Sequence, residues 1–597
     1  MDAQLQLRAD FNRRVMIAGI GMLILLLLLC ARLLYLQWMQ HEGLLLQSNQ
    51  NRMDMVPELP IRGNIVDRKG RIVAGNRLSY SLALIPERVE KMEMTLQFIA
   101  RQLQWSPAQI RRIRNRIARS RPDRPVLLQD KLRWQQAAPI ASRQHHWPGI
   151  QVTAASYRYY PYGALTAHLV GYLAMARSAD LQSGYHSGES IGRSGMERTM
   201  EQQLRGVPGY RIEEVDSHGS RSRTLLRTPP VDGKSVRLSI DIDLQQAAAT
   251  ALGDRMGAVV VIDVHSGEVL TLLSQPGFDS NKFITGLTTK QWQLWLHDPH
   301  KPLLNRAIQA AYPPASTMKL ITALSGLKYN RSLIRSTDLC RGYIELSDRK
   351  LRCWKKGGHG NINLTNAITE SCDVYFYHLG EQLGMEKMRK SALEWGLAQP
   401  TGIELATEVR GHFPGVDASA SRRRWYQGET MITAIGQGSV TTTPIQIARL
   451  AAAIANQGQV RTTTLIAGHH TSILYKPSIT AHDLRLVQYA MHRVVTVWGG
   501  TARHAFAGAL LSAAGKTGTA EVMHTARDRH GKRVNKQVGF YQRDHAWFMG
   551  YAPFETPRIA FAVLVEHGGH GGHAAAPVAR AVVDAFARHY MAGKDSG

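Results

Sequence analysis

Three short stretches of the 597-residue chain carry residue types that could run acyl transfer. "PPASTMKL" holds Ser316 and Lys319, "ESCDVY" holds Ser371, Cys372 and Asp373, and "AGKTGTAE" holds Lys516, Thr517, Gly518 and Thr519. A serine hydroxyl is a weak nucleophile until a base removes its proton. Residues three apart on a helix share a face, which places Lys319 against Ser316. A lysine kept from water beside another cation is neutral enough to be that base, and Lys516 is the candidate for the second cation. Ser316 follows Pro313-Pro314, as a helix start would, and the N–H groups of such a start face a developing oxyanion. Taken singly the motifs are weak. Ser-x-x-Lys arises by chance about once or twice in a chain this long. Ser316 alone reads as a helix cap, and Lys516 alone as a solvated lysine before a glycine turn. Their order and separations together point to a serine ester intermediate.

The elements that must hold these residues follow from hydropathy and punctuation. Val15 to Ala31 is a run of 17 positions without a charge, preceded by Arg8, Arg13 and Arg14. It reads as a membrane-spanning signal anchor with a cytoplasmic N-terminus. A cleavable signal peptide fits less well because no small-x-small site follows, and a lipoprotein site at Cys30 is opposed by the bulky Leu29. The formal charge of +27, with arginines clustered in "IRRIRNRIARSRPDRP", invites nucleic acid as a partner. No nucleic-acid module is present, and a basic surface beside anionic lipid head groups is the reading kept.

After the anchor, "RGNIVDRKGRIVAGNRLSYSLALIP" alternates and breaks at glycines as short strands do, and residues 93–145 read as polar, Arg/Gln-rich helices. "IGRSGMERTMEQQLRGVPGY" is a glycine-punctuated turn and a helix stopping at Gly206, and a boundary falls near "TPPVDGKSV". "AVVVIDVHSGEVLTLLS" predicts a hairpin turning at His265-Ser266-Gly267. Helical patterns follow at 315–329, 363–383 and 444–457, then strands in "LSAAGKTGTAEV" and "RIAFAVLVEHG" and a closing helix. Early and late strands with helices between predict an α+β chain whose catalytic part is an antiparallel sheet packed by helices. The expected domains are an N-terminus and transmembrane anchor (1–40), an elongated mixed pedestal (41–235) and a catalytic domain (236–597).

The three motifs resemble those of the penicillin-recognising serine enzymes. With the anchor, "RGNIVDRKG", "GRSGMERTMEQQLRG", "GQGSVTTTPIQIARLAAAIANQG" and "VEHGGHGGHAAAPVARAV", the chain resembles the elongation-type class B penicillin-binding proteins over nearly its whole length. That resemblance implies a serine-type D-Ala-D-Ala transpeptidase of peptidoglycan, of the transpeptidase/carboxypeptidase class, acylated by β-lactams. Ser316 would attack the penultimate D-Ala carbonyl, with Lys319 as base and Ser371 relaying a proton to the leaving D-Ala. Lys516, Thr517 and Thr519 would hold the terminal carboxylate, with Gly518 leaving room for the substrate and Asp373 on the substrate side. The N–H groups of Ser316 and Thr519 would form the oxyanion hole. The family's second motif commonly ends in Asn, and Asp373 departs from that.

The resemblance further implies an inner-membrane, single-pass protein with a periplasmic catalytic domain. Its partners would be a membrane glycosyltransferase of the shape, elongation, division and sporulation class and rod-shape elongation proteins, gripping the pedestal. It also implies a structural Zn²⁺ on Asp338, Cys353, His359 and Cys372, where relatives carry Asp, Asp, His and Cys. A Cys340–Cys353 disulfide, or thiols that merely pack, remain open alternatives. "EHGGHGGH" reads as a glycine-rich rim loop rather than a metal box. A secreted hydrolase is disfavoured by the anchor and by the lack of a base for deacylation. A non-catalytic scaffold is disfavoured by the intact motifs.

Overall fold

The runs "GAVVVID" and "VLTLLSQ" pair antiparallel as β1 (Gly257–Asp263) and β2 (Val269–Gln275), joined through a turn in which Gly267 has φ +75°. Later strands β3 (Ala514–Ala520), β4 (His545–Ala552) and β5 (Ile559–Val565) complete an antiparallel sheet ordered β2-β1-β5-β4-β3. The computed structural model describes residues 2–42, 53–122, 124–186, 188–215, 221–332, 337–346, 349–415, 426–522 and 539–591. Around the sheet lie helices α1 (Ile242–Leu252), α2 (Lys319–Tyr329), α3 (Asp373–Leu383), α4 (Pro444–Ala455), α5 (Ala481–Thr496), α6 (Gly571–Ala574) and α7 (Ala576–Tyr590).

The strands are buried at almost every position because both faces of the sheet are covered, and β1, β4 and β5 are accordingly nearly all apolar. Val259, Val261, Phe548, Phe561 and Val563 meet α1 and α7 in one core. Val260, Trp547, Met549, Ala562 and Leu564 belong to the other core, with α2, α3, α4 and α5. Local chemistry sets the helix ends. The Asp241 side chain accepts the Asp243 N–H at 2.8 Å to cap α1, and Gln446 Oε1 accepts the Thr443 N–H at 3.2 Å at the start of α4, ahead of Pro444.

One expectation is corrected. The pattern at 363–383 is not continuous helix: a first helix spans Leu364–Thr369, Ser371 takes φ +56°, and α3 begins at Asp373. The Cys372 N–H returns to Ala367 O at 2.9 Å, closing the first helix over a left-handed residue.

The chain divides into two compact units. The smaller takes Met1–Ile61, Leu78–Ser156 and Val207–Asp232. Within it, helices Met92–Leu103, Pro107–Ala118 and Trp134–Ala141 share a core with strand Val126–Leu132 through Leu96, Ile99, Ile113, Leu128 and Ile140. A three-stranded antiparallel sheet is built from Met53–Glu58, Gly209–Val215 and Arg221–Thr228. Residues Ala9–Met39 form one helical stretch long and apolar enough to cross a membrane.

The larger unit takes Arg62–Arg77, Tyr157–Gly206 and Gly233–Gly597 and holds all the motif residues. It contains a buried ion cluster in which Glu197 accepts from Arg158 Nε at 2.6 Å and Arg62 Nε at 2.8 Å. Removing one member strands the others without a counter-charge. Glu197→Gln is therefore expected to destabilise the unit by roughly 3–5 kcal/mol, read as a lowered thermal midpoint. Arg114→Gln, which breaks an exposed pair with Glu93, should leave that midpoint unchanged.

Candidate active site

Ser316 sits half-buried in a tight 3-10 turn, Ala315–Thr317, and the α-helix proper starts only at Lys319. The turn is forced by Ala315 at φ +50° and closed by Thr317 N–H to Pro314 O and Met318 N–H to Ala315 O. Two residues outside the three motifs hold it. The Ala315 N–H donates to Gly436 O at 2.8 Å, and a Cβ on Gly436 would lie 2.1 Å from Ala315 O. Gln437 Nε2 donates to Thr519 O at 3.0 Å, tying the same segment to β3. The "GQGS" stretch thus has a structural task that its residue types alone did not announce.

Lys319 is fully buried and directs all its donors to the second motif. Its Nζ donates to Ser371 O (2.9 Å), Ser371 Oγ (3.2 Å) and Asp373 Oδ1 (2.6 Å). Those three bonds exhaust an ammonium. Lys516, on β3, donates to Ser371 Oγ at 2.9 Å and to Thr517 O at 2.9 Å. The Ser371 hydroxyl therefore lies between the two lysines, and the left-handed backbone at Ser371 puts it there. Burial, reinforced by the nearby Lys319 charge, pushes Lys516 well below the ordinary lysine range, so its amine form is favoured. Among the described residues Ser316 Oγ makes no hydrogen bond, leaving it open to an incoming carbonyl.

Asp373, expected on the substrate side, has its carboxylate hydrogen-bonded inside the fold. Its carboxylate is spent internally, on Lys319 through Oδ1 and on the Trp354 N–H through Oδ2 at 2.8 Å. Burial holds this carboxyl above its ordinary range, against the pull of Lys319. Gly518 fits closely between β4 and the nucleophile turn. A Cβ there would lie 3.0 Å from Trp547 Cβ and 3.3 Å from Pro314 O, so the glycine lets β3 press against the nucleophile turn. Thr517 and Thr519, two apart on β3, share one face of the strand.

The cysteines fall together with one change of partner. Ligand atoms of Cys340, Cys353, His359 and Cys372 all lie within 4.8 Å of one another. Asp338 is not among them: its carboxylate contacts His378 Nδ1 at 2.5 Å. Strand register is the reason. Asp338–Cys340 pairs with Gly360–Ile362 so that Cys340 stands opposite Gly360, beside His359, while Asp338 stands opposite Ile362. Two residues along a strand is a displacement of about 6.8 Å.

His359 Nδ1 faces Cys340 Sγ at 3.5 Å and Cys353 Sγ at 3.6 Å, and its Nε2 is buried without a hydrogen bond, 4.0 Å from Glu370. A hydrogen bond from Cys372, with others from His359 and the Asp373 N–H, pulls the Cys353 thiol well below its ordinary value. Three sulfurs and an imidazole at this spacing could hold a metal ion, and they fit a closed tetrahedral set. All four cysteines are free thiols, which sets aside the Cys340–Cys353 disulfide in this state. His545 and His567 of the rim region pack ring to ring, 4.7 Å between centroids, and contribute no metal cluster among the described residues.

Known proteins align with this arrangement. The penicillin binding protein transpeptidase domain family matches residues 257–584, and the penicillin-binding protein dimerisation domain family matches residues 57–238. Peptidoglycan D,D-transpeptidase MrdA of Haemophilus influenzae is 33% identical over 598 residues, covering 96% of this chain and 92% of that protein. The penicillin-binding protein PBP2 in complex with MreC from Helicobacter pylori matches with a TM-score of 0.79 at 29% identity, covering 91% of this chain and 99% of that one. A chain from a peptidoglycan synthase complex that coordinates polymerization and crosslinking matches with a TM-score of 0.74 at 29% identity, covering 96% and 98%. Motif geometry, a catalytic-domain match over more than half the sequence and a relative aligned nearly end to end agree: this chain belongs to the class B penicillin-binding proteins, in the branch of elongation-type peptidoglycan D,D-transpeptidases.

Proposed function

We propose that the chain crosslinks peptidoglycan by serine acyl transfer during cell elongation, and that Ser316, Lys319, Ser371 and Lys516 carry the reaction. The observation that carries this reading is the Ser371 hydroxyl shared by two buried lysines, one of them, Lys319, three residues after the free Ser316 hydroxyl. At rest the Lys319 Nζ is engaged by Ser371 O, Ser371 Oγ and Asp373, while Lys516 is pushed toward the amine. A substrate carboxylate docking at Thr517 and Thr519 favours the ammonium form of Lys516. A proton then passes from Lys319 through Ser371 Oγ to Lys516, and the neutral Lys319 takes the proton of Ser316. Ser316 Oγ bonds to the penultimate D-Ala carbonyl carbon, with the oxyanion received by the N–H groups of Ser316 and Thr519. The C–N bond breaks, the departing D-Ala amine is protonated through Ser371, and an amine of a neighbouring strand later takes the acyl group. A β-lactam enters the same path and stops at the ester.

The anchor supports a single-pass inner-membrane protein. Arg8, Arg13 and Arg14 argue for a cytoplasmic N-terminus, and hence a periplasmic catalytic domain. The MreC complex and the synthase complex of the relatives support rod-shape elongation proteins and a membrane glycosyltransferase as partners. Zn²⁺ is the metal that suits Cys340, Cys353, Cys372 and His359. When bound it would neutralise the thiolates and fix the loop that bears Trp354.

Mass mapping tests the reading directly. Full-length protein treated with a penicillin should carry one adduct, on the peptide containing Ser316, that persists through the measurement. An adduct that turns over rapidly would instead identify a hydrolase, and none at all a scaffold.

A further inference from the structure

We infer that Thr501 and Gly571 are positioning residues for the substrate's terminal carboxylate, each supplying from behind the hydrogen bond that turns a β3 hydroxyl toward it. The inference rests on the proposal that Thr517 and Thr519 hold that carboxylate. Thr501 Oγ1 lies 2.7 Å from Thr517 Oγ1, and the Gly571 N–H points at Thr519 Oγ1 from 3.4 Å. A hydroxyl has one proton and two lone pairs. Gly571 N–H can only donate, so Thr519 accepts from it and keeps its own proton for the substrate. Between Thr501 and Thr517 either hydroxyl can donate, and an anion in front of Thr517 decides the direction. The Thr517 proton then goes to the carboxylate, and the Thr501 proton fills the lone pair behind. Donors chained in this way polarise one another.

Both supporting residues are fixed by backbone packing. Thr501 follows a turn in which Gly499 has φ +86° and a Cβ on Gly500 would lie 2.5 Å from Val494 O. The next N–H, of Ala502, donates to Val494 O at 3.0 Å, securing the turn on α5. On the other side, a Cβ on Gly571 would lie 2.3 Å from Trp547 O and 2.5 Å from Gly518 O. A Cβ on Gly572 would lie 2.3 Å from Thr501 O, so the start of α6 is wedged against β3, β4 and Thr501 together. This gives Gly571 and Gly572 of "EHGGHGGH" a reason: only a backbone without side chains brings an N–H that close to Thr519.

The test compares wild type, Thr501→Val and Thr501→Ser, as full-length chains in detergent, for acylation by a penicillin and by its carboxylate methyl ester. Thr501→Val should slow acylation by the free acid about tenfold or more, the loss of a hydrogen bond serving a charged group. It should leave the ester rate within about twofold, and Thr501→Ser should restore the acid rate. Equal losses for acid and ester, or no loss, would overturn the inference. If wild type does not prefer the acid over the ester, the carboxylate role of Thr517 and Thr519 fails first, and the inference with it. Matching thermal midpoints exclude a folding defect.

Discussion

Lys319→Met is expected to slow acylation of Ser316 by roughly 10²- to 10⁴-fold, the range for losing a positioned general base. The rate of covalent labelling by a fluorescent penicillin reads it. The same substitution leaves Asp373 buried without its cation, and this has a pH signature. Burial already raises the Asp373 carboxyl, with Lys319 as the main opposing influence, so the variant raises it further. A carboxyl with a raised folded-state pKa binds its proton more tightly in the folded state. Its favourable contribution is complete below the ordinary carboxylate range and is lost as pH rises through the raised value. The variant should therefore melt lower at about pH 8 than at about pH 5 by a larger margin than wild type does. Adding Asp373→Leu should abolish that extra margin without restoring labelling, since an apolar pair can replace a buried ion pair. A labelling rate close to wild type in Lys319→Met would remove Lys319 from the role of base.

The second large effect concerns the sulfur cluster. Purified protein is expected to carry one zinc per chain by elemental analysis. Cys340→Ser should lose most of it, whereas Asp338→Asn should retain it, because Asp338 is engaged with His378. The apparent free energy of structural zinc in small peptides is about 10–16 kcal/mol, so chelation should lower the thermal midpoint markedly. It should also slow labelling. Cys353 accepts the Asp373 N–H at 3.4 Å, and the next residue, Trp354, donates to the Asp373 carboxylate. A loosened cluster thus loosens the group that holds Lys319. Zinc retained in Cys340→Ser and lost in Asp338→Asn would restore the ligand set expected from the resemblance.

The sequence was most legible where function demands fixed residue types at fixed spacing. Ser316 with Lys319, Ser371 and Lys516 stand out for that reason, and the sheet strands Gly257–Asp263 and Ile559–Val565 stand out because burial on both faces makes them almost wholly apolar. It was least legible where the outcome turns on register or on a single dihedral angle. Asp338 and Cys340 are both plausible ligands two residues apart, and only the pairing with Gly360–Ile362 chooses between them. The break at Ser371 leaves no trace in the helical pattern of 363–383, because a serine at φ +56° is stabilised by contacts rather than by propensity. Asp373 reads as a motif residue facing a ligand until the fold supplies Lys319 and Trp354 on either side. Thr501 sits 15 residues before Lys516 in a stretch with no motif, and only the packing of three elements brings its hydroxyl to Thr517.

The turn that bears Ser316 is pressed between Gly436 and Gly518, with Ala315 in a left-handed conformation. Under antibiotic selection that crowding narrows the routes open to adaptation. A side chain added at either glycine disturbs the folded turn before it can discriminate between a β-lactam and the cell's own peptide. Heritable resistance through this enzyme is therefore expected to accumulate away from the nucleophile, in side chains with room to change.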